Sequence, residues 1–138
     1  MSSKLKQISH LYKRAAFDVP PSKILLDLNT PLKDLVQKLF DESEQYTDLN
    51  YLDSPLNEKR DKEVSKIRIL KSVLRSKKDT ELLNLEWVNK ISTDKAQLRE
   101  RMTYFWHDHF ACGGAFAYLL QVQNNTLRKH ALGNFGDM

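Results

Sequence analysis

A single cysteine, Cys112, in 138 residues leaves no partner for an internal disulfide and too few thiolates for a cysteine-rich zinc module. Glycine is almost as scarce. All four glycines lie beyond Ala111, so the first 111 residues lack the permissive turn residue altogether. No apolar run approaches the ~20 residues of a membrane span. The opening stretch MSSKLKQISHLYKR is polar and basic, without the apolar centre of a secretion signal, so a cytoplasmic location is the expectation. β-Branched aliphatics are few, 11 Val and Ile against 21 Leu, and they never alternate with polar residues over a strand's length. Neither charge dominates: 22 Lys and Arg face 18 Asp and Glu, and a net charge of +4 does not by itself indicate a nucleic-acid partner.

What is present is leucine in helical rhythm. With 41% hydrophobic and 29% charged residues the chain has the composition of a globular protein, and residues 1–138 suit a single helical domain. The expected fold is all-α, an irregular bundle of about five to seven helices with no significant sheet. Leu5, Ile8, Leu11, Tyr12 and Ala15 share one side of a first helix over 4–17, which Val19-Pro20-Pro21 ends. Ser22 opens a short turn through Leu28. Thr30 then caps a helix with Pro31 at its first position and Leu32, Leu35, Val36, Leu39 and Phe40 on its apolar face. Residues 41–53 hold five acids and no base, and read as an acidic surface loop. A long helix follows from Ser54-Pro55 to about Lys78. Asp79 or Thr80 caps the next, with Leu82, Leu83, Trp87, Val88 and Ile91 inward. Ser92 or Thr93 caps another, from Asp94 to about Phe110. Asn124 or Asn125 starts a last helix that reaches the C-terminus, and the stretch from Ala115 to Gln123 fits helix or extended chain.

Two features bear on function. Between Glu58 and Lys78 stand nine basic and three acidic residues. Arg68, Lys71, Arg75 and Lys78 form a stripe beside an apolar face of Ile67, Leu70 and Leu74, a pattern suited to phosphates, an anionic membrane or an acidic partner. No aromatics are interleaved for base stacking and no DNA-reading motif is present, which argues against nucleic acid.

The second feature is a histidine cluster, His107, His109 and His130, with Asp108 between the first two. Imidazole and carboxylate suit metal ligation or acid–base chemistry. Residues two apart on a regular helix point to nearly opposite sides, so His107 and His109 do not chelate one ion from it; a metal site needs the helix to end near His107, or one of the two joined by His130, His10 or an acid elsewhere. Helical phase puts His109 on the buried stripe with Leu98, Met102 and Phe105, and His107 on the other side with Thr103. Cys112 reads as a lone thiol, and Gly113-Gly114 lacks the Lys-Ser/Thr of a phosphate loop. Trp87 and Trp106 read as core. Gly133 and Gly136 are odd inside a helix.

HLYKRAAF from His10 to Phe17, LRERMTYFWHDHF from Leu98 to Phe110 and QNNTLRKHALGNF from Gln123 to Phe135 together resemble the N-terminal part of a large, mainly bacterial family, domain of unknown function 1800. Trp87 matches the tryptophan that usually precedes the second stretch. Departures occur at Ala16 and Asp18, where the family usually has glycine, at Asp108, commonly Asn, at Gly136, commonly basic, and after Phe110, where small hydroxyl residues are usual. Members continue through a motif resembling Pro-Asn-Glu-Asn-x-Ala-Arg-Glu. The resemblance therefore implies that this chain is an N-terminal fragment whose partner is the rest of its own protein. An acidic motif there would complete any site containing His107, His109 or His130. The family's name assigns no function, so the resemblance carries over no activity and leaves any cofactor unknown. The leading expectation is an uncharacterised domain with a scaffold or interaction role and no complete catalytic site. The alternatives are part of a metal-assisted or acid–base enzyme around His107, Asp108, His109 and His130, or anion binding by the basic helix 58–78.

Overall fold

A leucine-rich sequence without early glycine folds mainly as helix among the described residues. The computed structural model describes residues 3–17, 19–54, 62–110 and 116–137, without the side chains of 62–65, 68, 69 and 72. Among the described residues six α-helices succeed one another: α1 (Ser3–Ala15), α2 (Pro21–Leu26), α3 (Leu32–Glu44), α4 (Lys62–Thr93), α5 (Gln97–His109) and α6 (Ala117–His130). Short 3-10 turns follow α2 at Asp27–Asn29 and close the chain at Phe135–Asp137. Among the described residues there is no strand, and the architecture is the all-α bundle expected.

The first core is aliphatic. Ile8, Tyr12 and Ala15 of α1 meet Leu35 and Leu39 of α3, closed by Leu11, Val19, Ile24, Leu28 and Leu98. Full burial of a side chain such as Ile8 or Leu35 is worth about 1.5–3 kcal/mol. Tyr12 donates its hydroxyl to Asp27 Oδ2 at 2.5 Å, which fixes the 3-10 turn against α1. Burial first, then the bond to Asp27, pushes this phenol above its usual range.

The second half is tied by polar groups at helix ends. Asp94 accepts from Ala96 N at 2.9 Å and pairs with Lys90 at 2.6 Å at the α4–α5 corner. Burial pushes the Asp94 carboxyl up, but the bonds from Lys90 and Ala96 outweigh it and hold the group below its usual value. Gln97 donates to Ile91 O at 2.9 Å and Asp94 O at 2.7 Å, and accepts from Phe17 N at 3.0 Å. One side chain thus satisfies carbonyls at the end of α4 and joins that corner to the end of α1. Phe116 offers α6 no cap; instead Ser76 of α4 accepts from Ala117 N at 2.9 Å.

Several expected boundaries shift. The segment expected as an acidic loop over 41–53 starts as the last turn of α3, which runs to Glu44 and buries Ser43, and Leu49 is buried as well. Pro31, not Thr30, is the N-cap residue of α3. No break occurs at Lys78-Asp79-Thr80. α4 is one helix of 32 residues, because Thr80 returns its hydroxyl to Ser76 O at 2.7 Å instead of capping a new one. Val88, expected inward, is exposed. α6 begins at Ala117 rather than at Asn124 and ends at His130, so Gly133 and Gly136 lie in the turns beyond it. Residues 54–61 at the expected start of the long helix fall partly, and Cys112-Gly113-Gly114 wholly, outside the described residues.

Candidate functional site

α5 turns an unexpected face inward. Its buried line is Ala96, Glu100 and Thr103, continued one turn on by the half-buried His107. The stripe expected inside, ending at Phe105 and His109, is exposed at both of those residues. The reason lies across the interface in α6. Arg128 and Glu100 are both fully buried, and the guanidinium reaches the carboxylate through Nε to Oε1 at 2.6 Å and Nη2 to Oε2 at 3.1 Å. Trp87 Nε1 donates to Glu100 Oε2 at 3.3 Å, and Arg128 Nη1 donates to Asn125 Oδ1 at 2.7 Å. Such a two-point charged contact is among the strong hydrogen bonds, and its attraction is set against the cost of desolvating two ions.

The neighbouring Arg99 acts as a bolt between three helices. It donates through Nε to Ser43 O at 2.7 Å, and through Nη1 to Arg128 O at 2.7 Å and Lys129 O at 3.0 Å. These last two carbonyls belong to the final turn of α6, where intrahelical donors run out. The guanidinium lies 4.2 Å from the Tyr46 ring centroid, a cation–π contact.

α6 also holds the segment after α3. Asn125 accepts from Leu49 N and donates to Leu49 O, both at 2.9 Å. Gln121 accepts from Tyr51 N at 3.0 Å and Leu52 N at 2.8 Å, and donates to Leu52 O at 2.8 Å. Two amide side chains thereby pair with a loop backbone as a neighbouring strand would.

The histidines are dispersed. His107 packs edge-on against Trp87, ring centroids 4.9 Å apart, while His109 stands edge-on to Trp106 and Phe110 at 6.0 and 5.0 Å. His107 Nδ1 is buried without a hydrogen-bond partner. Burial pulls its imidazole below the ordinary value, partly opposed by the Asp108 charge. Asp108 itself is exposed, and His130 is half-buried at the end of α6. The expectation that His109 lies on the buried stripe is overturned, because the ion pair fixes the other face of α5 inward. Among the described residues, no group of three or more His, Cys, Asp or Glu is placed to hold a metal ion.

The basic stripe has a different setting. Lys71, Arg75 and Lys78 are exposed, and the Arg68 side chain lies outside the described residues. Ser76, Thr80, Leu83 and Trp87 form the seam of α4 that faces the body. At 100° per residue, Ile67, Leu70, Leu74, Leu85 and Val88 stand on the opposite side. All five are between 57 and 77% exposed.

Sequence reasoning missed Glu100, Arg128, Arg99, Gln121, Asn124 and Asn125. Charged residues in a helical pattern read as surface, and no local signal names a partner 28 residues away. The sequence profile of the family described as protein of unknown function (DUF1800) matches residues 10–138. No curated protein and no solved structure matches the chain.

Proposed function

Because the chain belongs to the DUF1800 family, whose description assigns no activity, we propose its function from geometry: a helical interaction module whose docking surface is the outer face of α4. The observation that carries this reading is the exposed ridge from Ile67 to Val88. At 1.5 Å rise per residue it extends about 32 Å. Two exposed apolar patches in one line, Ile67–Leu74 and Leu85–Val88, mark a site of association on a folded domain.

The partner that fits is a protein surface with an apolar groove and an acidic rim. Lys71, Arg75 and Lys78 border the ridge, and among the described residues no ion pair occupies them. Lys77, Lys78 and Glu81 interrupt the ridge with charges of both signs. A bilayer favours an unbroken apolar face with a cationic border, so this mixed pattern suits a protein groove better. The remainder of a longer family protein is the first candidate for that groove. The buried ion pair and the Arg99 bolt supply the rigid body from which α4 is presented.

Photo-crosslinkers at positions 70 and 74 of the expressed gene product test this, with the captured segment read by mass spectrometry. The expected capture is a protein segment rich in apolar and acidic residues. Its purified form should bind the chain, and Leu70→Asp with Leu74→Asp should abolish that binding. Lys71→Glu with Arg75→Glu should weaken it at low salt. Crosslinks to lipid or nucleic acid, or binding indifferent to these variants, would overturn the reading.

A further inference from the structure

Positive charge is distributed unevenly along this chain. The first 26 residues hold five basic residues, Lys4, Lys6, Lys13, Arg14 and Lys23, against the single acid Asp18. They account for the whole net charge of +4, because the remaining 112 residues carry 17 of each sign. α1 itself contains no acid. Where α1 meets α2 the surface is concave, with a groove of about 550 Å3. Leu5 of α1 and Ile24 and Leu25 of α2 supply its apolar walls, and Lys6, His10 and Lys13 its polar side. No Asp or Glu is among its described lining residues.

The walls of this groove are set before anything enters it. Tyr12 bonds Asp27 at 2.5 Å, Lys23 stands 5.5 Å over the Tyr12 ring, and Ile24 and Leu28 pack on the first core, which holds α2 against α1. Lys6 and Lys13 are exposed, and among the described residues no ion pair occupies them. Leu25 is 59% exposed although it lines an apolar wall. Lysines without acids beside uncovered leucine complement an occupant that is both acidic and apolar. Lys6, His10 and Lys13 stand at i, i+4 and i+7, so they follow one face of α1. The two lysines are about 10.5 Å apart along the helix, farther than one carboxylate spans, which favours a segment with several acids over a small ligand with one. A second helix of two to three turns matches that repeat, whereas a flat bilayer leaves a concave groove unfilled.

We propose that the groove between α1 and α2 docks an acidic amphipathic helix of a partner protein. The apolar residues of that helix pack on Leu5, Ile24 and Leu25, while carboxylates beside them pair with Lys6 and Lys13 and accept from an imidazole N–H of His10. Exposed ion pairs contribute little each, so the lysines select the charge and orientation of the partner and the leucines supply most of the affinity. The groove shares no residue with the ridge on α4, so the two surfaces stand or fall separately.

Three synthetic helical peptides, titrated into the purified chain, test this. One has leucines along one face with glutamates beside them, one has lysine in place of each glutamate, and one keeps the glutamates but has serine in place of each leucine. The glutamate peptide should bind saturably and move the amide resonances of residues 5–13 and 21–25. The lysine peptide should bind about tenfold or more weakly at low salt, because two attractions become two repulsions. The serine peptide should not bind measurably. Lys6→Glu with Lys13→Glu should invert the preference between the glutamate and lysine peptides, a result that loss of folding does not imitate. Leu25→Ser should weaken both leucine peptides, while Leu70→Asp with Leu74→Asp on the ridge should leave binding unchanged. No saturable response to the glutamate peptide, a preference that the charge exchange does not invert, resonances that move on α4 instead, or adsorption to anionic phosphatidylglycerol vesicles in preference to the peptide overturns the proposal.

Discussion

Replacing Glu100 by Gln keeps the shape of the side chain and removes its charge, so it isolates what the buried carboxylate contributes. In the native interior that carboxylate receives two bonds from Arg128, at 2.6 and 3.1 Å, and one from Trp87 at 3.3 Å. The glutamine amide accepts at one atom only, and its NH2 group faces a guanidinium that has nothing to accept with. Net hydrogen bonds to charged groups are worth about 1.5–3 kcal/mol each. Stranding one member of a buried ion pair costs about 3–5 kcal/mol, in agreement with the loss of two such bonds. A domain of this class is stable by about 5–15 kcal/mol, so the variant loses from a fifth of its stability to all of it. For a chain of this length roughly 3–5 °C of melting temperature accompanies each kcal/mol, which predicts a fall of about 9–25 °C. Helical circular dichroism during a thermal ramp measures it. The companion Glu100→Leu/Arg128→Met removes both charges together and should melt above either single variant, because no ion is left unpaired. A Glu100→Gln chain that melts within about 2 °C of the native one, well inside one kcal/mol, would refute the reasoning.

Three further outcomes follow from the same geometry. Gln121→Met removes the three bonds to Tyr51 and Leu52, which should speed amide hydrogen exchange at both residues and cost about 1–3 kcal/mol; unchanged protection there would show that the loop holds itself. The His107 resonance should titrate below its ordinary 6.5, because burial disfavours the cation more than Asp108 restores it. Its contribution to stability is then present above 6.5 and is lost as pH falls through the lower folded value, and His107→Leu should flatten that slope in denaturant midpoints. Leu74→Lys on the ridge should change stability by no more than about 0.5 kcal/mol. Leu35→Ala in the first core should cost about 2–5 kcal/mol, and urea unfolding separates the two; a large loss at Leu74 would mean that the ridge is packed.

The aliphatic half of the molecule was readable from sequence because its chemistry is one-sided. Ile8, Tyr12, Leu35 and Leu39 recur at helical spacing and are buried where that spacing places them, whereas Leu32, Val36 and Phe40, expected on the same face of α3, are exposed. The turn at Val19-Pro20-Pro21 stands where proline geometry requires it. The α5–α6 half was not readable in the same way. Apolar periodicity selects Leu98, Met102, Phe105 and His109; Leu98 does pack against the first core, but Phe105 and His109 are exposed, and the buried line is Ala96, Glu100 and Thr103 with the half-buried His107 beyond them. A pattern of hydrophobicity ranks Glu and Arg as surface, and their mutual neutralisation becomes visible only when both partners are in hand. The false break at Lys78-Asp79-Thr80 has a related cause. Asp and Thr favour caps because their side chains bond the backbone, and the same ability lets Thr80 sit within a continuous helix.

The two inversions of the ordinary rule have opposite consequences for the fold. Charge turned inward at Glu100 and Arg128 is demanding in geometry, so it fixes one arrangement of α5 against α6 and, through Asn125, one position of the segment at Leu49. Leucine turned outward along α4 demands nothing of the fold, since its seam with the body uses Ser76, Thr80, Leu83 and Trp87 instead. The ridge is therefore free of any intrachain duty among the described residues, and its apolar surface is available only to something else. Two of the stretches that carry the family likeness, Leu98–Phe110 and Gln123–Phe135, each hold a member of the ion pair.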